Sequence, residues 1–325
     1  MLSFDGAVQA SMGSLTNSFG VKHERSSSTG HPLVCFQGVG DQLIISRPRI
    51  QTIIPNAPAF DPKSADSIQT YQKLLREAQS LARPDVSGRR VGAIAIGGSG
   101  TAYFGANIEI KGGAPSDVIH AEASAFALAK ANGEARIVAM VQTLQPCGSC
   151  RQILAEGGNP KMPVHIVSPD GPATAKWVQT QTIEALYPYS YSYGTPSKNI
   201  FKPPVLQVPT LPGQIPHSEL LLAARNAAQL SYLPNPFRKA WAGLAAQTGD
   251  GHIFTGRVIT VAGPNPTITP IQDLLVQMTV SQRSPEELTE AVLVEPKDPD
   301  YSFYKGSKSV FKLISPGLKC QRMTL

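Results

Sequence analysis

The sequence is short of cysteine, of charged residues and of long apolar runs. Four cysteines in 325 residues are too few for the disulfide framework of a small secreted domain, so we expect a reducing compartment and a cytoplasmic protein. No apolar run approaches the roughly 18 residues that a transmembrane helix needs, and we expect no membrane partner. With 42% hydrophobic and 16% charged residues, the composition is typical of a soluble globular protein.

The net charge of +6 raises the question of nucleic-acid binding. Part of the excess lies in residues 297–325, where lysines and one arginine outnumber the two aspartates. These basic residues are spread out, and few aromatic residues stand between them for base stacking. A solvated basic surface explains them better than a nucleic-acid channel, so no nucleic-acid partner is expected.

The candidate chemistry is concentrated in residues 107–150. This segment contains NIE, then HAEA starting at His120, then PCGSC ending at Cys150. His120, Cys147 and Cys150 form a set of three potential zinc ligands. A structural zinc normally takes four protein ligands, whereas a catalytic zinc keeps one position for water, so we predict one catalytic zinc per chain.

Two other interpretations of the CxxC pair are a redox pair and half of a structural zinc site. A redox pair would leave the HAE motif without a role. A structural site lacks a fourth ligand nearby in the sequence. The catalytic zinc site therefore remains the favoured hypothesis.

The three ligands are predicted to lie at the starts of two helices. Residues 120–131 are rich in alanine and other helix formers, and residues 136–144 form a short apolar run typical of a buried strand. Pro146 then precedes a second helical segment that ends at Gly157. A helix N-terminus favours anions, so both thiolates would be stabilised there.

Glu122 follows His120 by two residues. If both residues are helical, their side chains point about 200° apart, so one metal ion is not expected to bind both. A carboxylate beside the metal suits a general acid and base instead. We predict that Glu122 accepts a proton from the zinc-bound water and delivers it to a leaving amine.

HAE followed by PCxxC, with GSGTAYFGANIEI upstream and PCGSCRQ downstream, resembles the zinc-dependent cytidine deaminases, in particular their larger two-domain form. The resemblance implies an α/β fold of three αβα layers. It also implies hydrolytic deamination of cytidine and 2′-deoxycytidine to uridine and 2′-deoxyuridine, as in pyrimidine salvage. The implied assembly is a homodimer whose four domains imitate a tetramer of small subunits.

The resemblance assigns roles to further residues. It implies that Asn107 and Glu109 hold the ribose hydroxyls and that the Ala121 carbonyl meets the pyrimidine amino group. Without the resemblance, NIE could simply end a strand at a turn. Tyr193 matches an aromatic position that, in this family, packs beside a neighbouring active site; the alternative is a rigid surface linker.

A similar pattern recurs in the second half of the chain. HIFTGRVITV resembles AYFGANIEI, so we predict that the same fold is built twice. In the second copy Val258 and Thr260 stand in place of Asn107 and Glu109, and residues 270–272 stand roughly in place of HAE. No CxxC follows in the sequence.

The predicted organisation has four parts. They are an N-terminal extension, partly disordered, at 1–57; a zinc-dependent catalytic domain at 58–199; a proline-rich linker at 200–216; and a degenerate deaminase-like domain without zinc at 217–325. The serine content of the extension leaves an organellar targeting role open.

Arg89 departs from the family pattern, in which a phenylalanine that packs on the pyrimidine stands two residues before VGA. A guanidinium can stack on a flat base, but a cation there carries a desolvation cost and favours a phosphorylated substrate. Arg89 therefore leaves open a deaminase of a related cytosine nucleoside or nucleotide, or a zinc-stabilised nucleoside-binding protein without activity. Polynucleotide-editing and blasticidin-type deaminases share the zinc motifs, but GANIE and the second copy disfavour them.

Overall fold

The computed structural model of the protein describes residues 50–157, 159–191, 200–201, 206–213, 218–234 and 239–325. Predictions that concern residues 1–49, and the prediction for Tyr193, lie outside these ranges. No helix in the part of the chain that the structure describes is long and apolar enough to span a bilayer.

The first half of the described chain forms one mixed sheet with helices packed on it. Its elements are β1 (Ile53–Ile54), α1 (Ala65–Ser80), β2 (Gly92–Gly97), β3 (Ala102–Ala106), α2 (Ala121–Ala131), β4 (Ile137–Gln142), α3 (Gly148–Ala155), β5 (Pro163–Ile166), β6 (Gln179–Thr182) and α4 (Ile183–Leu186). The strand order is β1-β3-β2-β4-β5-β6. Strands β4 and β5 are parallel, and α3 connects them.

The second half repeats this order with fewer strands. Its elements are α5 (Glu219–Gln229), β7 (Gly243–Thr248), β8 (Ile253–Arg257), α6 (Pro270–Val280), β9 (Leu288–Glu295), α7 (Tyr304–Ile314) and β10 (Lys319–Thr324). The strand order is β10-β9-β7-β8. Strands β9 and β10 are parallel and are connected by α7, as β4 and β5 are by α3.

The helix starts follow the capping chemistry of the sequence. Ser64 caps α1, and its hydroxyl accepts a hydrogen bond from the Ser67 amide at 3.3 Å. Helix α2 begins directly after His120, and α3 begins directly after Cys147. Both zinc-motif helices therefore lie where the sequence predicted them.

Each sheet lies between two helical layers because alternate residues of a strand face opposite sides. On β2, Ala93 and Ala95 pack in the core that contains α2, whereas Ile94 and Ile96 pack in the core that contains α1. The second sheet divides in the same way between α6 and α5. The predicted three-layer α/β fold, built twice, is confirmed.

The core between the two sheets is continuous. Helices α2 and α6 both contribute to it, so the two copies share one apolar interior rather than two separate ones. Residues far apart in the sequence, such as Leu128 on α2 and Leu274 on α6, are fully buried in this one core. Each copy covers this face of its own sheet with α2 or α6, and these two helices pack against each other.

Backbone bridges align the two copies residue by residue. Ile108 bridges Ile119 just before α2, and Ile259 bridges Ile268 just before α6. His120 therefore corresponds to Thr269, which is the N-cap of α6. The sequence had placed residue 270 at this position, so the structure moves the alignment of the motif by one residue.

Gly105 allows α2 to pack directly on β3. A Cβ atom added at this position would lie 2.1 Å from the Ala121 carbonyl oxygen and 2.3 Å from the Ala125 amide nitrogen. The equivalent Gly256 meets the Pro270 carbonyl oxygen at 1.9 Å in the second copy. The obstructing atoms belong to the backbone, so they cannot move aside without shifting the helix.

We predict that Gly105→Ala destabilises the protein by about 3 kcal/mol or more, because overpacking against backbone cannot be relieved by a rotamer change. Gly306→Ala is the matched control: Gly306 lies in helix α7, and no atom lies within 4 Å of its added Cβ. That variant should gain about 0.5–1 kcal/mol from helix propensity. Urea unfolding measures both values, and equal stabilities would contradict this account of Gly105.

Candidate zinc centre

His120, Cys147 and Cys150 meet at the starts of α2 and α3. The Nδ1 atom of His120 lies 3.2 Å from Cys147 Sγ and 3.6 Å from Cys150 Sγ. The three potential ligand atoms all lie within 4.8 Å of one another, and no other such group occurs within the described ranges. Cys150 is buried, whereas His120 and Cys147 are exposed on the open side.

These separations fit zinc. With Zn–N near 2.0 Å and Zn–S near 2.3 Å, a tetrahedral ion places its nitrogen and sulfur ligands roughly 3.5 Å apart. The observed 3.2 and 3.6 Å match that value without rearrangement of the backbone. One imidazole and two thiolates are ligands that zinc prefers, and three of them leave a fourth position open.

The three candidate ligands shift one another's pKa values. Hydrogen bonds with Cys150 and His120 lower the pKa of Cys147 to about 3. The hydrogen bond with Cys147, together with burial, raises the pKa of Cys150. The hydrogen bond with Cys147 also raises the pKa of His120 against the effect of burial. These shifts favour a Cys147 thiolate beside a protonated His120. A divalent metal held there would supply the positive charge in place of the His120 proton.

Glu122 lies beside the ligands but is not one of them. Its Oε2 lies 3.6 Å from Cys150 Sγ, and its side chain is only 4% exposed. Burial raises the pKa of Glu122, so this carboxyl holds a proton more readily than an exposed one. His120 is the extended N-cap of α2, and Glu122 is the second residue of the helix. The two side chains diverge because the backbone changes from extended to helical between them.

Asn107 and Glu109 lie just past the end of β3 and bond to each other. Asn107 Nδ2 donates to Glu109 Oε1 at 3.1 Å and to the Arg89 carbonyl oxygen at 3.0 Å, and Asn107 Oδ1 accepts from the Val91 amide at 2.8 Å. The negative charge of Glu109 contributes to the raised pKa of His120. The NIE motif therefore lies within electrostatic range of the candidate ligands.

The loop before β2 holds the Glu109 carboxylate in place. Ser87 donates its hydroxyl at 2.6 Å and its amide at 2.7 Å, and the Val86 amide donates at 3.0 Å. Partial burial opposes ionisation, but these hydrogen bonds lower the pKa of Glu109 overall. Ser87 was not singled out from the sequence, where nothing distinguishes it from other loop serines.

Two neighbouring arginines of this loop differ in their engagement. Arg90 donates from Nη1 to the carbonyl oxygens of Ser80 at 3.1 Å and Ala82 at 2.8 Å, so it closes the end of α1. Arg89 is exposed. Its carbonyl oxygen accepts from Asn107, which places the backbone of Arg89 beside the NIE motif.

Ala121 and Gln142 complete the surroundings of Glu122. Ala121 is fully buried, with its carbonyl oxygen close to Gly105. Gln142, at the end of β4, lies 3.5 Å from Glu122 Oε1 and donates to the Leu144 carbonyl oxygen at 2.8 Å. Its polar side chain at the end of an apolar strand was the only signal for it in the sequence.

Gln272 reaches the site from the second copy. Its Nε2 donates to the carbonyl oxygens of Ser116 at 3.0 Å and Val118 at 2.9 Å, in the loop that leads into His120. No local sequence pattern predicts this contact, because it joins residues more than 150 positions apart.

Comparison with known proteins agrees with this geometry. The model of the cytidine and deoxycytidylate deaminase zinc-binding region matches residues 66–166, and a second model with the same description matches residues 202–307. A protein named cytidine deaminase from Shewanella sp. strain ANA-3 is 35% identical over 225 residues, which cover 68% of this chain and 71% of that protein.

The chain belongs to the cytidine deaminase family. It is accordingly a zinc-binding hydrolytic deaminase with two deaminase domains. The cytidine deaminase of Shewanella pealeana is 37% identical over 229 residues, covering 68% of this chain and 71% of the relative. Among solved structures, cytidine deaminase from Mycobacterium leprae is 29% identical with a TM-score of 0.30, covering 36% of this chain and 93% of that one.

We predict that Cys150→Ser and Cys147→Ser each reduce bound zinc well below one ion per chain, because a hydroxyl is a poor zinc ligand beside thiolate. Cys320→Ser is the control, since Cys320 lies on β10 and outside the candidate ligand group. Metal analysis of the purified variants gives the zinc content. Full zinc occupancy in Cys150→Ser would remove that residue from the ligand set.

Proposed function

We propose that this protein hydrolyses cytidine and 2′-deoxycytidine to uridine and 2′-deoxyuridine, with release of ammonia, as a step of pyrimidine salvage. The observation that carries the proposal is a three-ligand zinc group with a buried carboxyl 3.6 Å from one of its sulfur atoms. The relatives named cytidine deaminase support the choice of substrate. We propose His120, Cys147 and Cys150 as the zinc ligands, one zinc per chain.

Zinc held there would supply a water molecule that ionises near neutral pH. Glu122 would transfer both protons of that water in turn, one to the ring nitrogen N3 and one to the amino nitrogen, as the water oxygen bonds C4 and the C4–N bond breaks to release ammonia. Its raised pKa suits this role, because a group that transfers a proton in both directions works best when its pKa is near the working pH. Gln142 fixes the orientation of the Glu122 carboxyl through their 3.5 Å contact.

Asn107 and Glu109 bind the sugar in this proposal. An amide and a carboxylate together can donate to and accept from a 3′-hydroxyl. Because ribose and deoxyribose both carry that hydroxyl, both nucleosides are accepted. The Ala121 carbonyl is proposed to accept a hydrogen bond from the pyrimidine amino group.

Arg89 supports a second candidate, a deaminase of cytosine nucleotides. Arg89 is exposed and its carbonyl oxygen accepts from Asn107 of the NIE motif, whereas the side chain of Arg90 is bound to the end of α1. An exposed guanidinium at the mouth of a nucleoside site can bind a phosphate bidentately. A zinc-stabilised binding protein without turnover is the remaining alternative.

Several features of assembly belong to the same proposal. We propose a cytoplasmic homodimer in which Tyr193, outside the described ranges, packs beside the partner's site. The proposed division remains an extension at 1–57, a catalytic domain at 58–199, a linker at 200–216 and a degenerate domain without zinc at 217–325. The match of two deaminase models to the chain supports the two domains in this division.

We predict that Glu122→Gln lowers kcat for cytidine by about 10² to 10⁴, because the isosteric amide cannot transfer the proton. Zinc content should remain that of the unaltered protein. Glu156→Gln is a matched control, because Glu156 is equally buried but bonds the Ala262 amide instead of facing the zinc group. The loss of cytidine absorbance measures turnover, and an unchanged kcat in Glu122→Gln would overturn the proposed proton transfer.

Arg89→Phe distinguishes the two substrate classes. If the substrate is the nucleoside, an aromatic face at residue 89 should lower KM for cytidine by about tenfold through stacking. If the substrate is the nucleotide, the same change should raise KM for cytidine monophosphate, because the phosphate loses its guanidinium. Kinetics with cytidine, deoxycytidine and their monophosphates decide between these outcomes. If the unaltered protein binds zinc but turns over none of the four substrates, the result favours the binding protein.

A further inference from the structure

A groove runs along β8 in the second copy. Its volume is about 530 Å³. Strand β8 forms one wall, helices α5 and α6 form the sides, and Ala131 and Asn132 at the end of α2 close it. Ile50 and Thr52, where the described chain begins, also line it.

Strand β8 presents unpaired peptide groups to this groove. The Thr248 amide donates to the His252 carbonyl oxygen at 2.9 Å. Opposite residues of β7 and β8 alternate between bonded and non-bonded pairs, so the peptide groups of Ile253, Thr255 and Arg257 point away from β7. Arg257 satisfies its amide with Asp273 Oδ2 at 3.0 Å. No residue within the described ranges accepts a hydrogen bond from the Thr255 amide. An open edge of this kind is a template for another strand.

In the first copy a strand fills the corresponding place. Phe104 is the equivalent of Thr255, and it donates to the Thr52 carbonyl oxygen at 2.9 Å, where β1 pairs with β3. Thr52 also bonds the carbonyl oxygen of Val280 at the end of α6, at 3.3 Å. Ala131 at the end of α2 is the counterpart of Val280, and it lines the groove. The groove is therefore the β1 position of the second copy.

We propose that residues 43–46 of this chain fill the groove and pair with β8 as an added strand. The 49 residues before Ile50 must approach the structure at the groove, because Ile50 lines it and is held there by Gln282, whose Nε2 donates to the Ile50 carbonyl oxygen at 3.2 Å. An extended chain spans about 13 Å between residues 46 and 50, and Ile50 and β8 line the same groove.

The composition of this segment suits the place. Leu43, Ile44 and Ile45 are apolar, and two of them are β-branched, as strand residues commonly are. The segment that precedes α5 in the sequence, as the β1 segment precedes α1, contains Pro203 and Pro204. Prolines lack the N–H that a strand ladder requires, so residues 43–46 suit the place better than that segment.

Amide hydrogen exchange of the full chain tests the proposal. In the unaltered protein we expect the peptide that spans residues 250–257 to exchange at least about tenfold more slowly than an open edge strand, because its outward amides are bonded. The double variant Ile44→Asp, Ile45→Asp should lose that protection. Val34→Asp is the matched control, since it places the same charge in another apolar stretch of the 1–49 segment.

Retained zinc and unchanged exchange in β2 show that each variant is folded. Rapid exchange of residues 250–257 in the unaltered chain would overturn the proposal. So would protection lost in Val34→Asp alone, which would assign the strand to a different segment. Protection that survives in the double variant but depends on protein concentration would identify a second copy of the chain as the occupant, and it would also overturn the proposal.

Discussion

The direct packing of α2 on β3 at Gly105 is the constraint on which the zinc centre depends. With no side chain at this position, the backbone of the first turn of α2 lies against the strand. That contact fixes the start of the helix, and the start of the helix places His120 as its cap and Glu122 within its first turn. Glu122 lies beside Cys150 and Gln142 and is 4% exposed, and this burial raises its pKa. The close contact at Gly105 thus helps to place both the candidate metal ligand and the candidate proton carrier.

The second copy keeps this packing, although its described residues form no group of candidate metal ligands. Gly256 meets the first turn of α6 as closely as Gly105 meets that of α2. Thr269 caps α6 with a capping box to Gln272, where His120 in the first copy has no side-chain capping bond. A residue that binds no metal can use its side chain to cap its own helix. A residue that binds a metal cannot, so other contacts must stabilise the start of its helix. The copy without ligands is therefore the one whose helix start is locally satisfied.

Local patterns in the sequence were sufficient for the elements and for the group of three candidate ligands that the structure brings together. The alanine-rich run after His120 and the apolar run at 136–144 predicted α2 and β4, since helix and strand periods are written in neighbouring residues. They were insufficient for the position of His120, which was considered as a helical residue and is a cap. Ser87 and Gln272 could not be found, because each acts on a residue distant in sequence. The one-residue error in the alignment of Thr269 with His120 has a related cause. The loop between the two bridged residues has a different length in each copy, and the motif itself does not show this.

The bonds of Gln272 explain why a copy without ligands is still useful to the site. The loop before His120 turns the carbonyl oxygens of Ser116 and Val118 towards α6, and the hydrogen bonds that they accept there are partly buried. Gln272 supplies both hydrogen bonds from α6, while its Oε1 accepts from the Thr269 amide at 2.9 Å. Its side chain therefore ties the start of α6 to the approach to α2. Through this side-chain amide the second copy supports the loop that leads into His120, the first candidate zinc ligand, although it contributes no member to the candidate group that the described residues form.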